Sequence, residues 1–340
     1  MSTEKLISIH LNSNKSKNFE QFINSIIHSA NNIKKIEVLV SIDKGDTSMI
    51  DVVEKINEKY SKFITYFETN LIKTFDDAWK PLNILLSNTS NSVKYISCMS
   101  DDVRFISKDW DKIILSYNNY FEDNIFRIRC SKYKHENYID IWECGYKPDA
   151  YAFYTKKWLD IVNIWNPCIG PDSFQECISF YMKKYGKEYN RNLIEEKILF
   201  DGQEVSSGLS FKSRIKRSRI YYKAFYKLVS YKNQNLACKK SYDIVCEIAG
   251  KNVKFIKIPF IKHVYTNFLR RFNFFYHRGS PDHLINTKLK NIIFLIWCYT
   301  KFLDNMLIKI VKILYNKNIL DKIIKDEKKF NKIKNIIDNE

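Results

Sequence analysis

The chain has 340 residues, 45% of them apolar and 15% aromatic, and a net charge of +18. That length permits one large domain with an appendage, or two domains, and the apolar content excludes a disordered chain. The positive balance suits phosphates, acidic membrane surfaces or nucleic acid, but the chain is also rich in Asn, Ile, Tyr and Phe, a residue set that an AT-rich genome produces, so charge alone decides nothing.

Leu6 to Leu11 alternates and is β-branched, as a first strand should be, and Asn12 to Lys17 follows as a polar turn. Phe19, Phe22, Ile23, Ile26 and Ile27 recur at helical spacing. Ile36 to Ile42 is a near-continuous apolar run, expected of a parallel strand buried on both faces. Asp43, Lys44, Gly45 and Asp46 end it. Ile50 to Tyr60 reads as a helix, Phe63 to Phe67 as a strand, Phe75 to Leu86 as a helix and Lys94 to Met99 as the next strand. This alternation implies right-handed β-α-β crossovers and a mostly parallel sheet with helices on both faces. The loops around Asn12, Asp43 and Asp101 then fall on one edge and form a cleft.

Lys94 to Met99 stops at Ser100, Asp101 and Asp102. Adjacent carboxylates at the carboxyl end of a buried strand place hard oxygen ligands where open α/β sheets bind their ligands, a setting for a divalent cation holding a diphosphate. The competing reading is a solvated turn that merely ends the strand. Only eight glycines occur, with no P-loop and no G-x-G-x-x-G turn, so a bound nucleotide needs something other than a glycine cradle. The eight cysteines form no C-x-x-C pair, which excludes zinc-ribbon and thioredoxin patterns and suits reduced thiols in a cytosolic protein. No apolar run approaches the roughly 18 residues of a spanning helix.

Beyond Trp110, read as core packing, the pattern becomes mixed. Ile113 to Phe121 reads as a helix, with strands at Ile125 to Cys130, Ile139 to Trp142 and Ala150 to Tyr154, and a helical turn at Trp158 to Val162. Cys168 to Asp172 is a Gly-Pro loop, and Ser173 to Tyr185 an amphipathic helix with Asp172 at the expected N-cap. Val205 to Tyr242 holds no acidic residue but many Lys and Arg interleaved with Tyr and Phe. It reads as a basic loop over phosphates, a membrane or nucleic-acid patch, or a solvated face. A helical turn at Ile244 to Ala249 and a strand at Val253 to Phe260 lead to Lys262 and His263. From Leu284 onward, Ile292, Ile296, Leu303, Leu307, Ile310 and Leu314 share one helical face among many lysines. This basic amphipathic region suits either an anionic membrane surface, over residues 284–320, or packing against protein.

In this order the chain resembles the GT-A glycosyltransferases, most closely the nucleotide-sugar family called family 2, over Leu6 to Val264. Ile7 to Asn12 looks like that family's opening strand and nucleotide loop. Asp43-Lys44-Gly45 looks like its D-x-G turn, and Met99-Ser100-Asp101-Asp102 sits where its D-x-D motif holds Mn²⁺ or Mg²⁺ and the sugar diphosphate. His263 is placed like its distal metal-site histidine. Two positions depart from the family: Met99 stands for the first Asp of the D-x-D-D form, and Lys44 for the second Asp of the D-D-G turn.

The resemblance implies an α/β GT-A fold, Rossmann-like, with a nucleotide-binding half at 1–110, an acceptor half at 111–264 and a basic helical region at 265–340. It implies His10, Asn12, Asp43 and Asp101 at the nucleotide, Asp101, Asp102 and His263 at the metal, and Lys or Arg of the acid-free segment adding charge. A carboxylate of the acceptor half acts as general base, with Asp172 first, Asp149 and Glu176 behind it. The expected activity is inverting, metal-dependent transfer from a UDP-sugar to a glycan or lipid-linked acceptor in surface glycan synthesis, in the cytoplasm or peripherally on the inner membrane face. No nucleic-acid partner is expected from converging carboxylates. The alternatives are a basic, aromatic-interleaved nucleic-acid module and a catalytically degenerate scaffold.

Overall fold

The computed structural model describes residues 4–60, 63–72, 77–130, 151–168, 171–202, 227–228 and 230–259. Seven strands form one sheet in the order β3-β2-β1-β4-β7-β6-β8: β1 (Ile7–Asn12), β2 (Ile36–Asp43), β3 (Ile64–Thr69), β4 (Tyr95–Cys98), β6 (Arg127–Arg129), β7 (Phe153–Thr155) and β8 (Asn192–Ile194). The β1, β2, β3 and β4 ladder is parallel, as is β6 with β8. Only β7 runs against its neighbours β4 and β6. The mostly parallel α/β arrangement expected from the alternating elements is therefore present.

The alternation along β1 divides the core. Ile7, Ile9 and Leu11 face a cluster with Phe19, Phe22 and Ile26 of α1 (Ser16–Ser29) and Met49 and Val53 of α2 (Thr47–Tyr60). The opposite face packs Leu39 and Ile96 against Leu82 and Leu85 of α3 (Trp79–Ser87). It also buries Trp158 of α5 (Lys156–Val162), Phe174 and Cys177 of α6 (Pro171–Met182) and Ile244 of α7 (Tyr231–Ala249). Trp110, which opens α4 (Trp110–Leu115), is fully buried with its ring 4.3 Å from Phe105, as expected of a core residue.

Several expectations need correction. The helix expected over Ile113 to Phe121 is the shorter α4, followed by turns. The helical turn at Ile244 to Ala249 is the end of the 19-residue α7, closed by Gly250 in the left-handed region. The segment from Val253 is not a strand over its described part: among the described residues no strand pairs with it, and side chains of α7 and of Tyr185 hold it. Ile256 N–H donates to Tyr185 Oη, and the Cys238 thiol donates to Ile256 O. Asp172 is not an N-cap, because Pro171 already occupies the first helical position of α6, where its missing N–H costs nothing. A two-stranded ribbon, β5 (Val103–Phe105) with β9 (Phe200–Gly202), was not anticipated. The expected strand at Ile139 to Trp142 and the C-terminal basic region lie outside the described residues. Among the described residues no helix is long and apolar enough to cross a membrane.

Candidate functional site

Strand order defines the site. From β1 the chain moves to β2 and then β3 on one side, and crosses to β4 on the other side of β1. The crevice beyond the carboxyl ends of β1 and β4 is thus a topological switch point, the place where open α/β sheets bind ligands. Ser13, following β1, and Asp101, following β4, meet across it: Ser13 Oγ donates to Asp101 Oδ2 at 2.6 Å. Ser13 is itself fixed, since its N–H donates to Ser41 O of β2.

Local geometry aims Asp101 and Asp102. Met99 N–H donates to His10 O at 2.9 Å and continues the β1 ladder, while the Met99 side chain, 6% exposed, belongs to the core. The Ser100 to Val103 turn closes through Val103 N–H to Ser100 O. Arg104, three residues beyond Asp101, donates through Nη1 to Asp101 O at 2.7 Å and through Nη2 to Gln21 Oε1 of α1 at 2.7 Å. In the ribbon it stands opposite Asp201. Burial raises the Asp101 pKa above the ordinary carboxylate value. The Ser13 hydrogen bond opposes this, the Asp102 charge adds to it, and Lys15 and Arg104 oppose it. A half-buried carboxylate of this kind is better satisfied by a cation than by water.

Asn12 and Asp43 end β1 and β2 on the same edge, one strand and two strands away from β4. Asn12 Nδ2 donates to Ala78 O at the start of α3. Gly45 follows with φ of 78°, a backbone region that favours glycine, and its N–H donates to Glu68 Oε2. Adjacent strands lie about 4.8 Å apart, so Asp43 and Asp101 belong to one edge roughly 10 Å wide.

His10 is placed elsewhere. It points to the α3 face, is 0% exposed, and has both ring nitrogens engaged: Trp165 Nε1–H donates to Nδ1 at 2.9 Å, and Nε2 lies 3.1 Å from Thr89 Oγ1 and 3.0 Å from Ser8 Oγ. An imidazole so enclosed has no edge left for a nucleotide, because Trp165, Thr89 and Ser8 occupy both of its ring nitrogens.

The acceptor-half candidates separate. Glu176 is held by guanidinium groups, 2.6 Å from Arg127 Nη2 and 3.4 Å from Arg129 Nη2. Asp172 lies in the first turn of α6, one turn before Glu176, and its side chain is outside the described residues, as are Asp149 and His263. For a divalent ion, Asp101 and Asp102 fit in kind, being hard oxygen donors, and among the described residues, which do not include His263, no group of three or more His, Cys, Asp or Glu side chains is placed to hold a metal. Ser13, Arg104 and Asp201 were missed from sequence. Arg104 alone left a signal, its i+3 spacing from Asp101; the other two reach the turn only through tertiary pairing.

No family model matches the chain, and no curated protein does. Among solved structures it is similar to the mannosyltransferase PcManGT from Pyrobaculum calidifontis in complex with GDP-Man and Mn²⁺, at 11% identity and a TM-score of 0.49, covering 92% of this chain and 86% of that one. It is also similar to S. aureus TarS 1-349 in complex with UDP-GlcNAc, at 15% identity and a TM-score of 0.44, covering 92% of each chain.

Proposed function

We propose that the chain is a glycosyltransferase that moves a sugar from a nucleoside diphosphate sugar, UDP-linked, to a hydroxyl of a glycan or lipid-linked acceptor. The observation that supports this reading is the Ser13–Asp101 hydrogen bond across the switch-point crevice, with Asn12 and Asp43 on the same edge. A carboxylate pair at that crevice suits a cation-bound diphosphate.

In this reading Asn12 and Asp43 bind the nucleoside, and Asp101 and Asp102, joined by His263, would hold Mn²⁺ or Mg²⁺. A divalent ion there supplies Lewis-acid neutralisation of the leaving diphosphate. Ser13 orients Asp101, while Lys15 and Arg104 add fixed positive charge beside it. Asp172 takes the proton from the acceptor hydroxyl as its oxygen attacks the anomeric carbon and the bond to the diphosphate breaks, inverting that centre. Residues 1–264 form the transferase domain. Residues 265–340 form a basic region that contacts the inner membrane face through 284–320, in a cytoplasmic protein serving surface glycan synthesis.

The test is release of nucleoside diphosphate from a panel of nucleotide sugars with Mn²⁺ present. The reading expects turnover of one donor, abolished by Asp172→Asn with donor binding retained. Failure to bind or turn over any donor would overturn it.

A further inference from the structure

Three neighbouring strands bring Asn12, Ser41 and Phe67 into one row: Asn12 pairs with Ser41 in the β1–β2 register, and Ser41 with Phe67 in the β2–β3 register. Register partners in parallel strands point to the same face. Here it is the α3 face, where Leu39 and Phe67 belong to one apolar cluster.

Two polar atoms of this row, Asn12 Oδ1 and Ser41 Oγ, are buried without a hydrogen-bond partner among the described residues, and Ser41 is 2% exposed. Polar groups left so carry the full cost of desolvation, and their occurrence in a native fold calls for a ligand, a water or another physical cause. The Asn12 amide cannot turn to relieve this, because its Nδ2 is committed to Ala78 O. Its free oxygen therefore only accepts, whereas the neighbouring hydroxyl can donate. An acceptor and a donor on adjacent strands, in register with Phe67, match a planar ring that carries N–H and C=O groups side by side.

We propose that Ser41 and Asn12 read the base of the bound nucleoside diphosphate, with Phe67 as the apolar wall beside its ring. Ser41 is then a specificity residue inside a strand, two positions before the Asp43 turn. The inference rests on the nucleotide-sugar reading and deepens it, since it assigns discrimination among bases to a row separate from the Asp101 turn that faces the diphosphate.

The experiment is calorimetric titration of UDP, GDP, CDP, ADP and inorganic pyrophosphate, each with Mn²⁺, into the wild-type chain, Ser41→Ala and Ser41→Cys. The expected result is that both variants lose about five- to tenfold in affinity for the preferred nucleotide, as removal of one hydrogen bond implies. Differences among the four bases shrink, pyrophosphate affinity is unchanged, and the thermal midpoint of Ser41→Ala is no lower than wild type. An unaltered base preference in both variants overturns the inference while leaving the transferase reading intact. A wild-type chain that binds none of the five overturns both.

Discussion

Trp165 donates its indole N–H to His10 Nδ1 at 2.9 Å, with the two rings edge to face at 82°, across 155 residues of chain. The bond fixes the tautomer. Nδ1 must accept, so the proton sits on Nε2, where Thr89 Oγ1, whose own hydrogen goes to Leu86 O, receives it. Protonation would set an N–H against the indole N–H. Full burial lowers the His10 pKa from 6.5 to about 3.

A pH dependence follows. The folded-state pKa lies below the unfolded value, so the unfolded chain takes up the proton first as pH falls. The stabilising contribution is complete above about 6.5 and is lost progressively toward about 3. Urea unfolding at pH 7.5, 6.5 and 5.5 should show His10 contributing a loss of about 1.4 kcal/mol per pH unit below its unfolded pKa. His10→Asn, which keeps an acceptor for Trp165, should remove that slope. An equal slope in the variant would mean that His10 titrates normally.

Met99 sits in the core rather than on the acidic turn. Met99→Asp, which writes an acidic triplet into the sequence, should therefore place a carboxylate among apolar side chains and cost several kcal/mol without tightening Mn²⁺ binding. Thermal denaturation and Mn²⁺ titration together check this. Tighter Mn²⁺ binding at unchanged stability would show that position 99 faces the site.

Glu176 stabilises Arg127, which is 1% exposed. Burial works against the Arg127 charge, but Glu176 and Tyr154 hold its pKa above the ordinary arginine value. Glu176→Gln should thus cost about 3–5 kcal/mol, the range for stripping a buried charge of its partner, as measured by denaturant titration. Loss of turnover at unchanged stability would instead make Glu176 the general base.

Much of the sheet was legible because β1, β2, β3 and β4 each carry an apolar run bounded by turn residues, and their carboxyl ends necessarily share an edge once the crossovers are right-handed. That placed Asn12, Asp43 and Asp101 together. The ribbon of Val103–Phe105 with Phe200–Gly202 was not legible, since three residues are too few to show a period. Residues 253–259 misled in the opposite sense: a strand-like composition with no pairing strand among the described residues forms no ladder there. His10 was assigned to the nucleotide from its position near the strand end. What removes it from the cleft is Trp165, a contact no local pattern reports.

The most direct test of the proposed function is calorimetric binding of the preferred nucleoside diphosphate, with and without Mn²⁺, to the wild-type chain and to Asp101→Ala. The proposal predicts binding that needs the ion and falls by about a hundredfold or more in the variant, a loss of roughly 3 kcal/mol. Binding of the same strength without Mn²⁺ and in Asp101→Ala would contradict it.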